Sequence, residues 1–265
     1  MRPSRAVLEK PQGDETSGTW ERRFVTTVKL VSRIRVITHL RARLRPLRQP
    51  TAIPPLASFT SPAARSRAAI VAIGASTGGP GAIVEILRAL PAAFALPVLL
   101  VMHINEKFDT ALADWLDGQS ECRVAYAHDG DLVSARAGQV IMAPPDRHLV
   151  VNKGLLRLTV EAERHSCRPS VDILFESIAR EYGSAATACL LTGMGRDGAQ
   201  GLLEIRRAGG FTIAQDEATS VVYGMPREAV LLEAVDRVLP LGDIGPTLAA
   251  LAIARESSTR RSGWE

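Results

Sequence analysis

A chain of 265 residues with 46% hydrophobic residues is long enough for one large or two small domains and apolar enough for a substantial core. The net charge of +4 is unevenly spread: residues 1–67 carry fourteen Lys or Arg against four Asp or Glu, which leaves about −6 on the rest, a basic arm before a mildly acidic body. Cys122, Cys167 and Cys189 are odd in number and show no C-x-x-C, which speaks against a disulfide framework or a cysteine-based metal site.

In chain order, residues 1–22 are polar and are expected to be disordered. Residues 23–66 read as a basic amphipathic helix and a Pro-rich linker: Ile37, Leu40, Leu44 and Leu47 fall at helical spacing among arginines, and Pro50, Pro54, Pro55 and Pro62 follow. Such an arm is suited to electrostatic docking on an acidic partner. No aromatic residue lies among the basic residues from Lys29 to Arg48, and the body is acidic, so nucleic acid is not the expected partner.

A folded domain is expected over residues 67–256, with a disordered tail over 257–265. Strands are predicted at 69–75, 97–103, 123–127, 139–143, 187–193, 211–215 and 236–239. Helices are predicted between them at 80–90, 107–118, 171–182, 198–208, 225–234 and 243–254. Apolar strands alternating with helices imply an α/β fold, a doubly wound, mainly parallel sheet with helices on both faces. Residues 148–160 break the pattern, with two apolar runs around Asn152-Lys153-Gly154, and predict an inserted β-hairpin. No run approaches the ~18 apolar residues of a membrane span, and the N-terminus lacks the apolar core of a signal peptide. A cytoplasmic protein that does not span a membrane is the expectation.

The chemistry concentrates where Ala69-Ile70-Val71-Ala72-Ile73 ends in Gly74-Ala75-Ser76-Thr77-Gly78-Gly79-Pro80. Strand, tight turn and helix place Ser76 at an apex, beside backbone N–H donors at a helix N-terminus. The spacing fits the G-x-S-x-G elbow of serine hydrolases, and on its own it fits a phosphate-binding turn of a nucleotide-binding domain equally well. The turn lacks both the G-x-G-x-x-G spacing and a P-loop lysine.

Ligands of open parallel sheets lie beyond the C-terminal ends of the strands. The second strand runs into His103, and the strand around Cys189 runs into Thr192-Gly193-Met194-Gly195-Arg196-Asp197-Gly198. Ser76, His103 and Asp197 therefore emerge on one sheet edge, as a nucleophile, a base and an orienting carboxylate would. Taken singly, His103 also reads as a structural residue and Asp197 as the cap of the helix that follows it. The order serine, acid, histidine of α/β-hydrolases would instead use His148 or His165 with Asp129, Asp131 or Asp146. Neither of those histidines follows a buried strand.

Together, Gly74 to Pro80, Arg168-Pro169-Ser170-Val171-Asp172, Leu191 to Ala199 and Ala214 to Pro226 resemble the catalytic domain of CheB-type chemotaxis protein-glutamate methylesterases, in order over about residues 68–255. The resemblance implies demethylation of glutamate γ-methyl esters, and deamidation of certain glutamines, on the cytoplasmic domain of methyl-accepting chemoreceptors. It implies Ser76 as nucleophile, His103 as base, Asp197 as orienting acid, and Thr77 and Met194 as oxyanion or substrate-binding positions. No cofactor and no metal are called for. The chain departs from the family's pattern in two places: Asn105 stands where a Pro commonly follows the histidine, and residues 1–66 are too short and too basic for the usual receiver domain. These departures motivate an alternative to the leading esterase reading, a catalytically idle domain of the same fold that docks on a receptor or regulates by binding.

Overall fold

The computed structural model of the chain describes residues 68–103 and 109–262. The predicted basic helix and linker, the N-terminal segment expected to be disordered and Asn105 lie outside them.

Seven strands form one sheet in which every pairing is parallel. They are β1 (Ile70–Ala75), β2 (Val98–Met102), β3 (Arg123–Tyr126), β4 (Gln139–Met142), β7 (Ala186–Leu190), β8 (Phe211–Gln215) and β9 (Arg237–Leu239), in the order β3-β4-β2-β1-β7-β8-β9. The predicted hairpin is β5 (His148–Asn152) with β6 (Leu155–Thr159), an antiparallel pair outside the main sheet. The helices are α1 (Gly79–Ala89), α2 (Asp109–Asp117), α3 (Val171–Tyr182), α4 (Ala199–Arg207), α5 (Met225–Leu231) and α6 (Leu241–Ser262).

The layering follows from the period of two along each strand. Val71, Ile73 and Ala75 of β1, with Leu100 and Met102 of β2, face one core completed by Ile83, Ile86 and Leu87 of α1 and by Ile244 and Leu248 of α6. Ile70 and Ala72, with Leu99 and Val101, face the other, filled by Leu174, Phe175 and Ile178 of α3, by Leu202 and Ile205 of α4, and by the hairpin residues Leu149, Val151 and Leu156. Burial on both faces explains why these strands read as continuous apolar runs. Each fully buried Ile, Leu or Phe contributes roughly 1.5–3 kcal/mol.

Two boundaries differ from expectation. β7 stops at Leu190 rather than 193, because the Thr192 N–H turns to the Gln215 side chain at 2.9 Å instead of continuing the ladder. α6 extends to Ser262, into the segment expected as a disordered tail, since neither Gly nor Pro interrupts the chain between Pro246 and Gly263. Among the described residues no helix is long and apolar enough to cross a membrane.

Candidate active site

The chain leaves β1 toward β2 on one side and later re-enters beside β1 as β7 on the other. The point where strand order reverses is where an open parallel sheet leaves a crevice. All three predicted residues stand there. Ser76 follows the last residue of β1, and Ala75 is in register with Met102, the residue before His103. The His103 N–H donates to the Ala75 carbonyl at 3.0 Å, and the Ser76 N–H donates to the Thr192 carbonyl at 3.0 Å. Serine and histidine are thus neighbours across one ladder step, with the loop after β7 on the other side of the serine.

The turn after Ser76 depends on glycine. Gly78 takes φ 85°, and a Cβ there would lie 2.6 Å from Val221 Cβ. At Gly193 a Cβ would meet Ser76 Cβ at 2.8 Å and Met225 Sδ at 2.3 Å, so only glycine lets the loop after β7 pass this close to the serine. The Thr77 N–H follows the serine directly and the Met194 N–H follows Gly193. Among the described residues neither meets a protein acceptor. Met194 is 72% exposed and stands at the rim of the cleft.

Asp197 is 2% exposed and receives four hydrogen bonds. His103 Nε2 donates at 2.8 Å, Ser170 Oγ and the Val171 N–H at 2.7 Å, and the Asp172 N–H at 3.1 Å. The alternative reading of Asp197 as the cap of its own helix is not what forms: the residue before α4 is Gly198, and no side chain caps that end. The carboxylate sits instead on the N-terminus of α3, where unpaired N–H groups and the helix dipole favour an anion. Ser170 caps α3, accepting from the Ile173 N–H at 3.5 Å while donating to Asp197. Burial alone would raise the Asp197 pKa, but the bonds from His103, Ser170 and Val171 outweigh it and hold the carboxyl below its ordinary value.

His103 is largely buried. Burial disfavours its charged form, yet the bond to Asp197 and the neighbouring Cys167 thiol prevail and push the imidazole up to about 9. Because Nε2 donates to Asp197, the nitrogen left for chemistry is Nδ1. That nitrogen lies 3.7 Å from Cys167 Sγ, a contact sequence reading did not anticipate. Among the described residues the Ser76 hydroxyl makes no hydrogen bond, to His103 or to any other group. Catalytic hydrogen bonds are often long in the free enzyme and tighten when substrate enters.

The alternative residues serve other ends. His148 is buried, accepts from the Ser170 N–H through Nδ1 at 3.1 Å and donates through Nε2 to the Ala162 carbonyl at 3.3 Å. His165 pairs with buried Asp172 at 3.1 Å. Asp129, Asp131 and Asp146 bind Arg157, Arg136 and Arg168 respectively. His165, Asp172 and Asp197, like His103, Cys167 and Asp197, bring donor atoms within 4.8 Å of one another. In both groups the carboxylate oxygens are occupied by hydrogen bonds from the protein itself.

Residues 71–248 match the family model described as CheB methylesterase. A protein-glutamate methylesterase/protein-glutamine glutaminase of Anaeromyxobacter dehalogenans is 45% identical over 92% of this chain and 68% of its own length. Similar proteins bearing the same name from Pseudomonas aeruginosa and Burkholderia lata are 44% and 47% identical, over 86% and 69% of this chain. The chain spans 65% and 54% of those two relatives, so it matches part of proteins that are longer. The crystal structure of the Thermotoga maritima CheB methylesterase catalytic domain is similar at TM-score 0.66 and 38% identity, covering 69% of this chain and 98% of that domain.

Proposed function

This chain belongs to the CheB methylesterase family, and on that premise we propose that it removes methyl groups from glutamate γ-methyl esters of chemoreceptors through a serine acyl-enzyme. The observation that carries the reading is the buried Asp197 bonded to His103 at 2.8 Å, on the strand end next to Ser76. His103 Nδ1 takes the hydroxyl proton as Ser76 Oγ attacks the ester carbonyl. The same proton then passes to departing methanol, and water, activated at Nδ1, hydrolyses the acyl-enzyme. Asp197 fixes the ring and stabilises the imidazolium. In this reading the N–H groups of Thr77 and Met194, which meet no protein acceptor among the described residues, receive the oxyanion, each such donor being worth roughly 3–4 kcal/mol in a comparable site. Attack on a receptor glutamine by the same route releases ammonia in place of methanol.

The partner in this reading is the cytoplasmic domain of a methyl-accepting receptor, which puts the protein in the cytoplasm. The ten positive charges in excess over residues 1–67 support electrostatic docking on an acidic receptor surface. A second reading, an idle docking domain, rests on the missing Ser76–His103 hydrogen bond among the described residues. Methanol release from methylated receptor separates the two. Ser76→Ala is expected to lose about ten-thousand-fold or more, and the KM of the wild type is expected to rise with added salt. Undiminished release by Ser76→Ala overturns the esterase reading, and a salt-independent KM overturns the docking.

A further inference from the structure

With Nε2 of His103 held by Asp197, the group that faces the remaining nitrogen is a thiol rather than the Ser76 hydroxyl. Asp197, His103 and Cys167 stand in the order acid, base, nucleophile, at 2.8 Å and 3.7 Å. An imidazole placed in this way can draw the proton from a thiol as well as from an alcohol. The thiol is also within reach of solvent. Cys167 is partly exposed and lines a cleft of about 520 Å³ together with His103, Met194, Arg196 and Glu228, whereas Cys122 and Cys189 are both buried in the core that α1 and α6 complete.

The segment that delivers the thiol is built for its position. His165 and Ser166 both take left-handed backbone conformations, at φ 53° and 59°. The His165 ring is held between Asp172, at 3.1 Å from Nε2, and Arg196, whose Nε donates to Nδ1 at 3.2 Å. The His165 carbonyl accepts from Cys167 Sγ at 3.4 Å, which steers the sulfur toward the His103 ring.

We propose that Cys167 is a second nucleophile served by His103, and a site of reversible covalent modification by low-molecular-weight disulfides. The thiol proton passes to His103 Nδ1 and Sγ attacks one sulfur of the disulfide. A Sγ–S bond forms as the S–S bond of the reagent breaks, and the departing thiolate takes the proton from Nδ1 and leaves as a thiol. One protein thiol and one disulfide thus become one mixed disulfide and one small thiol, with no further oxidant. Ser76 and Cys167 depend on the same nitrogen, so an adduct on Cys167 fills the cleft in front of that nitrogen and keeps the ester from reaching it. Only this last consequence rests on the esterase reading; the reactivity of the thiol does not.

Alkylation of the full chain by iodoacetamide at neutral pH, followed site by site by mass spectrometry, tests the proposal. The Cys167 rate is expected to fall at least tenfold in His103→Gln and to stay at the wild-type value in Ser76→Ala, with Cys122 and Cys189 protected throughout as a sign of an intact fold. Equal rates in wild type and His103→Gln overturn it. A second measurement does not depend on how His103→Gln folds. Oxidised glutathione is expected to add one glutathionyl group at Cys167 of the wild type and to stop methanol release until dithiothreitol restores it, while Cys167→Ser keeps its own untreated rate. A wild-type chain left unmodified, or a Cys167→Ser chain stopped to the same degree, contradicts the proposal.

Discussion

At His103 the bond to Asp197 and the thiol of Cys167 raise the pKa against the opposing effect of burial, to about 9. A base must be neutral to accept a proton, so the active form gains population as pH rises toward that value. The expected outcome is a kcat/KM that climbs through neutral pH and levels above about 9, since its acid limb reports the free enzyme's base. Cys167 supplies part of the upward shift, so Cys167→Ser is expected to move the limb to lower pH. A pH–rate profile of the two proteins on a small methyl ester checks this, and a wild-type limb at the ordinary histidine value of about 6.5 contradicts it.

The turn after Ser76 is also an element held in place by another, through Thr192. This buried hydroxyl donates to the Thr77 carbonyl at 2.9 Å and accepts from the Val222 N–H at 3.0 Å, tying the turn after β1 to the loop after β8. Thr192→Val fills the same space but leaves that N–H and that carbonyl without partners. It is expected to destabilise by about 1–3 kcal/mol, read as a lower urea midpoint, with Thr192→Ser largely restoring it. An unchanged midpoint for Thr192→Val contradicts this account of the turn. Thr192 also illustrates what sequence conceals. β1 and β2 are legible because burial on both faces demands unbroken apolar runs, and α3 announces itself by Ser170 and the periodicity behind it. The end of β7 is not legible, because it depends on a side chain, Gln215, that arrives from the next strand. Asp197 beside Gly198 looks locally like a cap. Its true seat, the start of α3, lies some 25 residues back and is reached only in three dimensions. Cys167 carries no local signal, since nothing in its neighbours reveals that His103 will face it.

Across the described residues, one topological fact gathers these parts: the sheet reverses its order at β1 and β7, so the serine turn, the histidine that follows β2 and the loop bearing Asp197 converge on one edge. Strand-by-strand reading of the sequence reaches that convergence because all the strands of the sheet run parallel and their C-terminal ends share a side. Sequence alone leaves open the ring orientation of His103, which turns Nε2 to Asp197 and leaves Nδ1 for the proposed nucleophile. Central to the proposed reaction is the acylation of Ser76 with His103 as its base. Incubation of the full chain with a fluorophosphonate, followed by peptide mass mapping, tests this most directly. One adduct per chain is expected, on Ser76, formed at a rate that falls steeply in His103→Gln. Methanol release that persists while Ser76 is fully phosphonylated, or an adduct that forms only elsewhere, would contradict it.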